Sequence, residues 1–196
     1  MPDSPRVVSE KATLRTLLLA QRAARPPADR ETAARALAAA LADRLAGAGV
    51  VAAYVPTAEE PGHGHLVEAL ADRVDRLLLP VVPPRGRELS WAEHDGGFAP
   101  GRFGLLEPTA PPQPAVALGR ADVVVVPALA VGRDGTRLGR GGGYYDRALA
   151  WARPDAVLVA VLFDGELLDA VPAGEHDRRV SAVVTPSAGW QELGPA

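Results

Sequence analysis

The chain has 196 residues with 20 Gly, 19 Pro and no Cys, 47% hydrophobic and 23% charged residues, and a formal net charge of −3. One ordinary globular domain fits this length, and a compact chain of this size buries roughly 70% of the surface its unfolded form exposes, enough for a core without disulfide or metal staples. The absence of cysteine excludes a disulfide framework, thiolate metal sites and cysteine nucleophiles, while the weakly acidic balance leaves no basic stripe for nucleic acid or an anionic membrane. An anionic ligand therefore needs a local basic cluster. No apolar run matches a secretion signal or a membrane span, so a soluble, cytoplasmic protein is expected, with no nucleic-acid or membrane partner.

In chain order, the first predicted element is a helix over 9–23, with Ser9 as its N-cap and Pro26-Pro27 as its stop. It places Leu14, Leu17, Leu18 and Gln21 on one side, and Lys11 and Arg15 four residues apart on one face. Lys11 is the only lysine in the chain. An Ala-rich helix follows from 29 to about 46, then a buried strand over 50–56, a helix over 64–73, a strand over 76–82 and an edge strand or hairpin arm over 88–94. The run DVVVVPALAV (122–131) is the clearest buried strand. A helix begins near Tyr144, and strands are predicted over 156–163 and 179–185. Apolar runs of this kind alternating with helices call for a sheet covered on both faces. The expected fold is a single α/β domain with three α/β/α layers and a mainly parallel, Rossmann-like sheet. It spans 7–186, and 1–6 and 187–196 read as flexible ends.

The chemistry concentrates in RDGTRLGRGGGYYDRAL (133–149). Glycines at 139, 141, 142 and 143 let backbone N–H groups converge, and a helix start behind them adds to an anion site that Arg137 and Arg140 supplement with full charge. Phosphate is the natural guest. Asp146 is a hard oxygen ligand suited to the magnesium that accompanies nucleotide phosphates, and Tyr144 and Tyr145 offer aromatic faces and hydroxyls. Neither GxxxxGK[ST] nor GxGxxG is present. His63 and His65 lack a third ligand at metal spacing and read as a solvent-facing pair, and Trp91 and Trp151 as packing residues.

RLGRGGGYYDR, preceded by PALAVGRDG, closely resembles the signature of the 5-formyltetrahydrofolate cyclo-ligase family. KATLR (11–15), YVPTAEEPGH (54–63), LLLPVV (77–82), LSWAEH (89–94), FGLLEP (103–108) and PAGEHD (172–177) follow the family's order over about 175 residues. The resemblance implies ATP-dependent closure of 5-formyltetrahydrofolate to 5,10-methenyltetrahydrofolate, with magnesium as cofactor, and a monomer is expected. It implies that ATP binds Lys11, Arg15, Arg137, Leu138, Gly139, Arg140, Gly141, Gly142, Gly143, Tyr144 and Tyr145, with Arg140 and Tyr144 catalytic and magnesium on Asp146 and Asp177.

For the folate, the resemblance points to Thr57, Glu60, Gly62, Phe103, Arg140 and Tyr144. A pterin asks for one carboxylate at its hydrogen-bonding edge and one aromatic face; Glu59 and Glu60 are candidates for the first and Phe103 for the second, against structural alternatives of a helix cap and a core position. Glu107 is a loop carboxylate suited to orienting backbone. The chain departs from the family at Gly62 and His63, where an acidic residue and Thr are common, at Glu166, where Gln is usual, and at Ser181, where Asp is common. Those departures leave room for a non-catalytic nucleotide- or folate-binding module. The fold class and a single-phosphate loop also suit a sugar-phosphate isomerase-like enzyme.

Overall fold

The computed structural model describes residues 4–172 and 178–194. Helix α1 spans Pro5–Ala24 and starts a turn earlier than its apolar spacing predicts. The Ser4 hydroxyl accepts the Val7 N–H, and Pro5 takes the first helical turn, where a missing N–H costs nothing. Ser9 lies inside the helix, with its carbonyl accepting the Thr13 hydroxyl. Pro27 then opens α2 (Pro27–Arg44), so the proline pair ends one helix and begins the next.

The remaining elements are β1 (Val50–Ala52), α3 (Leu66–Ala71), β2 (Arg76–Val81), β3 (Ser90–Glu93), β4 (Phe98–Pro100), β5 (Leu106–Pro108), β6 (Val123–Pro127), β7 (Ala130–Gly132), β8 (Arg137–Leu138), α4 (Tyr144–Ala148), β9 (Val157–Val161), β10 (Leu167–Leu168), β11 (Ala182–Thr185) and β12 (Gly189–Glu192). Seven of the strands form the main sheet in the order β12-β11-β9-β6-β1-β2-β3. Its five inner strands are parallel, and the two edge strands, β12 and β3, run antiparallel to their neighbours.

The apolar run of β6 is explained by burial on both faces. Val123 and Val125 meet Leu37, Leu41, Leu66 and Leu70 of α2 and α3, while Val124 and Val126 meet Trp91, Leu118 and Leu149 on the opposite side. That second layer is made of α4 and short 3-10 turns at Ala115–Arg120 and Leu149–Trp151 rather than long helices. Trp91 is fully buried, as predicted. Trp151 is 43% exposed, and its indole N–H donates to Glu88.

Two expectations about strands are corrected. The run 122–131 is not one strand: after Pro127 the chain turns, and β7 joins a separate three-stranded sheet, β10-β7-β8. Pro127 lacks the N–H that would continue the ladder, which marks the break. The segment after 187, expected to be loose, contains β12, registered from Gly189 against Thr185 to Glu192 against Ala182. Trp190 anchors it against the α2 core beneath the Arg44 guanidinium. No helix among the described residues is long and apolar enough to cross a membrane.

Candidate active site

The sheet order reverses between β1 and β6, so the chain leaves their carboxyl ends in opposite directions and opens a crevice, the usual ligand position in such sheets. A cleft of about 280 Å³ lies there, bounded by Tyr54, Val55 and Thr57 after β1, Pro80 and Val82 at the end of β2, and Pro127, Ala128 and Leu129 after β6. Lys11, Arg15, Glu60, Phe103, Asp146 and the entire run 137–145 also line it. Residues from six separate stretches of sequence are thus brought to one wall system.

The glycine loop 139–143 hangs between β8 and α4. The Arg15 side chain donates from Nε to the Gly139 carbonyl at 2.9 Å, tying α1 directly to that loop. Gly141 has φ +89°, which favours glycine, and a Cβ there would stand 3.3 Å from Arg15 Cζ and press on its guanidinium. Lys11, only 8% exposed, lines the same cleft and gives it a charged wall. The helix behind the loop, α4, has five residues, so positive charge at this end comes from guanidinium groups more than from a helix dipole.

Arg137 is buried, and its fork is largely committed: Nη2 donates to Asp146 Oδ1 at 2.6 Å and Nη1 to the Pro127 carbonyl at 3.3 Å. It therefore aims the Asp146 carboxylate and leaves Nε without a hydrogen-bond partner among the described residues. The buried Tyr145 hydroxyl is also unpartnered. Both residues border the cleft, where oxygen atoms of a ligand would satisfy such groups. Burial, then the Glu60 carboxylate, raises the Tyr145 phenol above its ordinary range, and the same two causes raise that of Tyr54.

A family model described as the 5-formyltetrahydrofolate cyclo-ligase family matches residues 7–186. The chain belongs to that family. A 5-formyltetrahydrofolate cyclo-ligase from Mycolicibacterium smegmatis is 44% identical over 191 residues, covering 95% of this chain and 97% of the relative. One from Escherichia coli K12 is 35% identical over 130 residues, or 64% and 71% of the two chains. The NMR structure of Aquifex aeolicus 5,10-methenyltetrahydrofolate synthetase superposes with a TM-score of 0.74 at 25% identity, covering 95% of this chain and 94% of the other. A synthetase from Mycoplasma pneumoniae shares the fold, with a TM-score of 0.70 at 19% identity and coverage of 89% and 97%.

Within this cyclo-ligase fold the two neighbouring carboxylates of the acidic loop are placed differently. Glu60 lines the cleft and Glu59 does not. Glu60 Oε2 accepts the Thr57 N–H at 2.8 Å, and Oε1 lies 3.3 Å from Arg140 Nε, so the loop after β1 is linked to the glycine loop. Glu60 does not cap α3, whose N-cap position is His65. Gly62 lies outside the cleft wall; its φ of +88° makes a turn, and a Cβ there would stand 3.1 Å from Leu66 Cβ.

Phe103 is not a core residue. It is 72% exposed at the cleft mouth with φ 58°, and the Arg102 guanidinium stacks 5.3 Å from its ring centroid. Arg102 in turn donates to the carbonyls of Pro83 and Pro84. Glu107 accepts the Val82 N–H at 2.9 Å, orienting backbone as its position suggests. His63 and His65 engage the Pro56 carbonyl and Glu31 respectively, and Asp177 lies outside the described residues. The sequence reading missed Arg22 and Tyr54. Arg22 had a sign, since it stands seven residues after Arg15 on the same helix face. The apolar wall of Pro80, Val82, Leu89 and Leu129 gave none, because its residues look like ordinary core.

Proposed function

We propose that this chain converts 5-formyltetrahydrofolate to 5,10-methenyltetrahydrofolate, with ATP hydrolysed to ADP and phosphate. The observation that carries this reading is the direct Arg15 contact with Gly139, which joins the α1 cations to the glycine loop at one end of a cleft. The same cleft also offers Glu60, an apolar wall and the exposed Phe103 ring. One polyanion and one flat, hydrogen-bonding ring system are the ligands that a cleft with this lining suits.

In this reaction the formyl oxygen attacks the γ-phosphorus of ATP as the bond to the departing ADP oxygen breaks. The N10 amine then adds to the activated formyl carbon and loses its proton, and phosphate leaves as the five-membered ring closes. Such a transfer needs alignment and charge neutralisation rather than a protein nucleophile. Lys11, Arg15 and the loop amides hold the triphosphate, and Arg140 stabilises charge on the transferred group. Tyr144, half-buried against the second core layer, bounds the space between the reactants. Glu60 takes the donor edge of the pterin, and Phe103 covers its face. The work of the acidic residue common after this Glu in the family falls to Glu60.

Magnesium with a nucleotide uses one or two protein carboxylates, with phosphates and water completing the shell. Asp146, 53% exposed beside the loop and aimed by Arg137, fits that role. Held there, the ion would neutralise charge on the phosphate oxygens.

The test is turnover by the purified chain. Product and ADP are expected in equal amounts with 5-formyltetrahydrofolate, ATP and magnesium all present, and neither when ATP or magnesium is left out. Folded protein that binds ATP and folate but forms no product would replace this reading with a binding module.

A further inference from the structure

Helix α1 carries two of the cations assigned to the nucleotide, yet little apolar surface holds it. Its buried residues are Lys11, Leu18 and Arg22, so Leu18 is its single buried hydrophobic side chain. Leu18 enters a small cluster with Leu129, Ala130, Leu138 and Val171, which Leu14 and Leu19 touch from the edge. Contact of this kind resists separation, but it resists sliding and rotation poorly.

Arg22 supplies what the apolar contact lacks. Its Nε donates to Glu166 Oε1 and its Nη2 to Glu166 Oε2, both at 2.7 Å, and Nη2 also reaches the Ala128 carbonyl at 2.7 Å. The two side chains are 2% and 7% exposed. Glu166 Oε2 further accepts the Phe163 N–H at 2.8 Å, and the guanidinium groups of Arg22 and Arg25 lie 5.6 and 4.3 Å from the Phe163 ring centroid. One ion pair thus fastens α1 to the turn after β6 and the turn after β9.

We infer that the Arg22–Glu166 pair is a positioning clamp, setting the register of α1 so that Lys11 and Arg15 meet the glycine loop. A bidentate guanidinium–carboxylate fork accepts one geometry, whereas apolar side chains of the same volume accept several. The net stability of a buried ion pair over an apolar pair is small or negative, so retaining one here is better explained by register than by stability. Arg15 and Lys11 precede Arg22 by seven and eleven residues, roughly 10 and 16 Å along the axis, and each residue turns the helix by about 100°. A modest rotation at the clamp therefore removes Arg15 from the Gly139 carbonyl. The inference rests on the reading of Lys11 and Arg15 as nucleotide ligands.

The experiment compares Arg22→Met, the double variant Arg22→Met with Glu166→Leu, and Arg22→Lys. Melting temperature, KM for each substrate, kcat and amide exchange across residues 5–19 are measured. Arg22→Met alone strands a buried carboxylate and lowers the melting temperature. The double variant recovers most of that loss, yet its KM for ATP rises about tenfold or more, the order of one lost charge-assisted contact. Its KM for folate stays within about twofold, and the first half of α1 exchanges faster. Arg22→Lys keeps the charge without the fork, and the same rise in KM for ATP is expected, which serves if the double variant does not fold.

A double variant with recovered stability and an unaltered KM for ATP would overturn the clamp. So would a rise confined to folate, which would make Arg22 a substrate contact. Unaltered ATP binding in both Lys11→Ala and Arg15→Ala refutes the nucleotide assignment instead, and the exchange rate of α1 in the double variant still decides the clamp.

Discussion

Helices α1 and α2 are 20 and 18 residues long and follow one another at a proline pair, but they attach to the molecule by opposite means. The second buries Ala33, Ala34, Leu37, Ala38, Leu41 and Ala42 against the main sheet and α3. The first buries Lys11, Leu18 and Arg22 and lies on the small three-stranded sheet beside the cleft. One is scaffold, held by area removed from water; the other, proposed to bind the nucleotide, is held by a few directional contacts. Substitutions in α2 should therefore register in stability, and those in α1 in substrate affinity.

Leu41→Ala empties a fully buried site and is expected to cost about 3–5 kcal/mol of folding stability, with KM for ATP unchanged in the fraction that folds; urea unfolding and kinetics on the same preparation check this. Arg140→Ala, at the loop that α1 faces, should lower kcat about 10²–10³-fold with a nearly unchanged melting temperature. Arg15→Ala removes a charge-assisted contact and should lower kcat/KM for ATP by about 10–100-fold, again at little cost in melting temperature. A loss of stability as large as that of Leu41→Ala would show that α1 is scaffold after all.

Gly141→Ala joins the two behaviours. The left-handed backbone and the nearby Arg15 guanidinium should cost about 1–2 kcal/mol, felt in both stability and KM for ATP. The mildest expected effect is one of pH. Burial favours the neutral phenols of Tyr54 and Tyr145, so their contribution is complete below the ordinary tyrosine value of about 10 and is lost as pH rises above it, where the unfolded chain ionises. Stability should begin to fall near pH 10, and Tyr145→Phe should flatten that slope in unfolding curves measured from pH 8 to 11.

What was legible in the sequence follows the same division. Elements held by apolar area advertise themselves: β6, β9, α2 and α3 were readable because two-sided burial leaves uninterrupted apolar runs and period-four leucines. The glycine loop was readable because its composition is costly anywhere without a close approach. Elements held by directional contacts were harder. The start of α1 was misplaced because Ser4 and Ser9 are equivalent as letters and only Pro5 tips the choice. The β6–β7 break depends on which sheet receives the chain after Pro127, and β12 depends on a partner strand that local sequence does not name. Arg137 reads in sequence as a phosphate ligand, and its pairing with Asp146 is invisible there because it exists only once both are folded.

The solitary lysine has a practical consequence. Arginine supplies every other basic side chain, so a reagent that acylates amines has one side chain to find besides the chain's own amino terminus. That side chain is tucked into the cleft wall with 8% of its surface showing. With Lys11 in its proposed nucleotide role, tagging there becomes a footprint of occupancy, readable by mass on the intact polypeptide, without any engineered label.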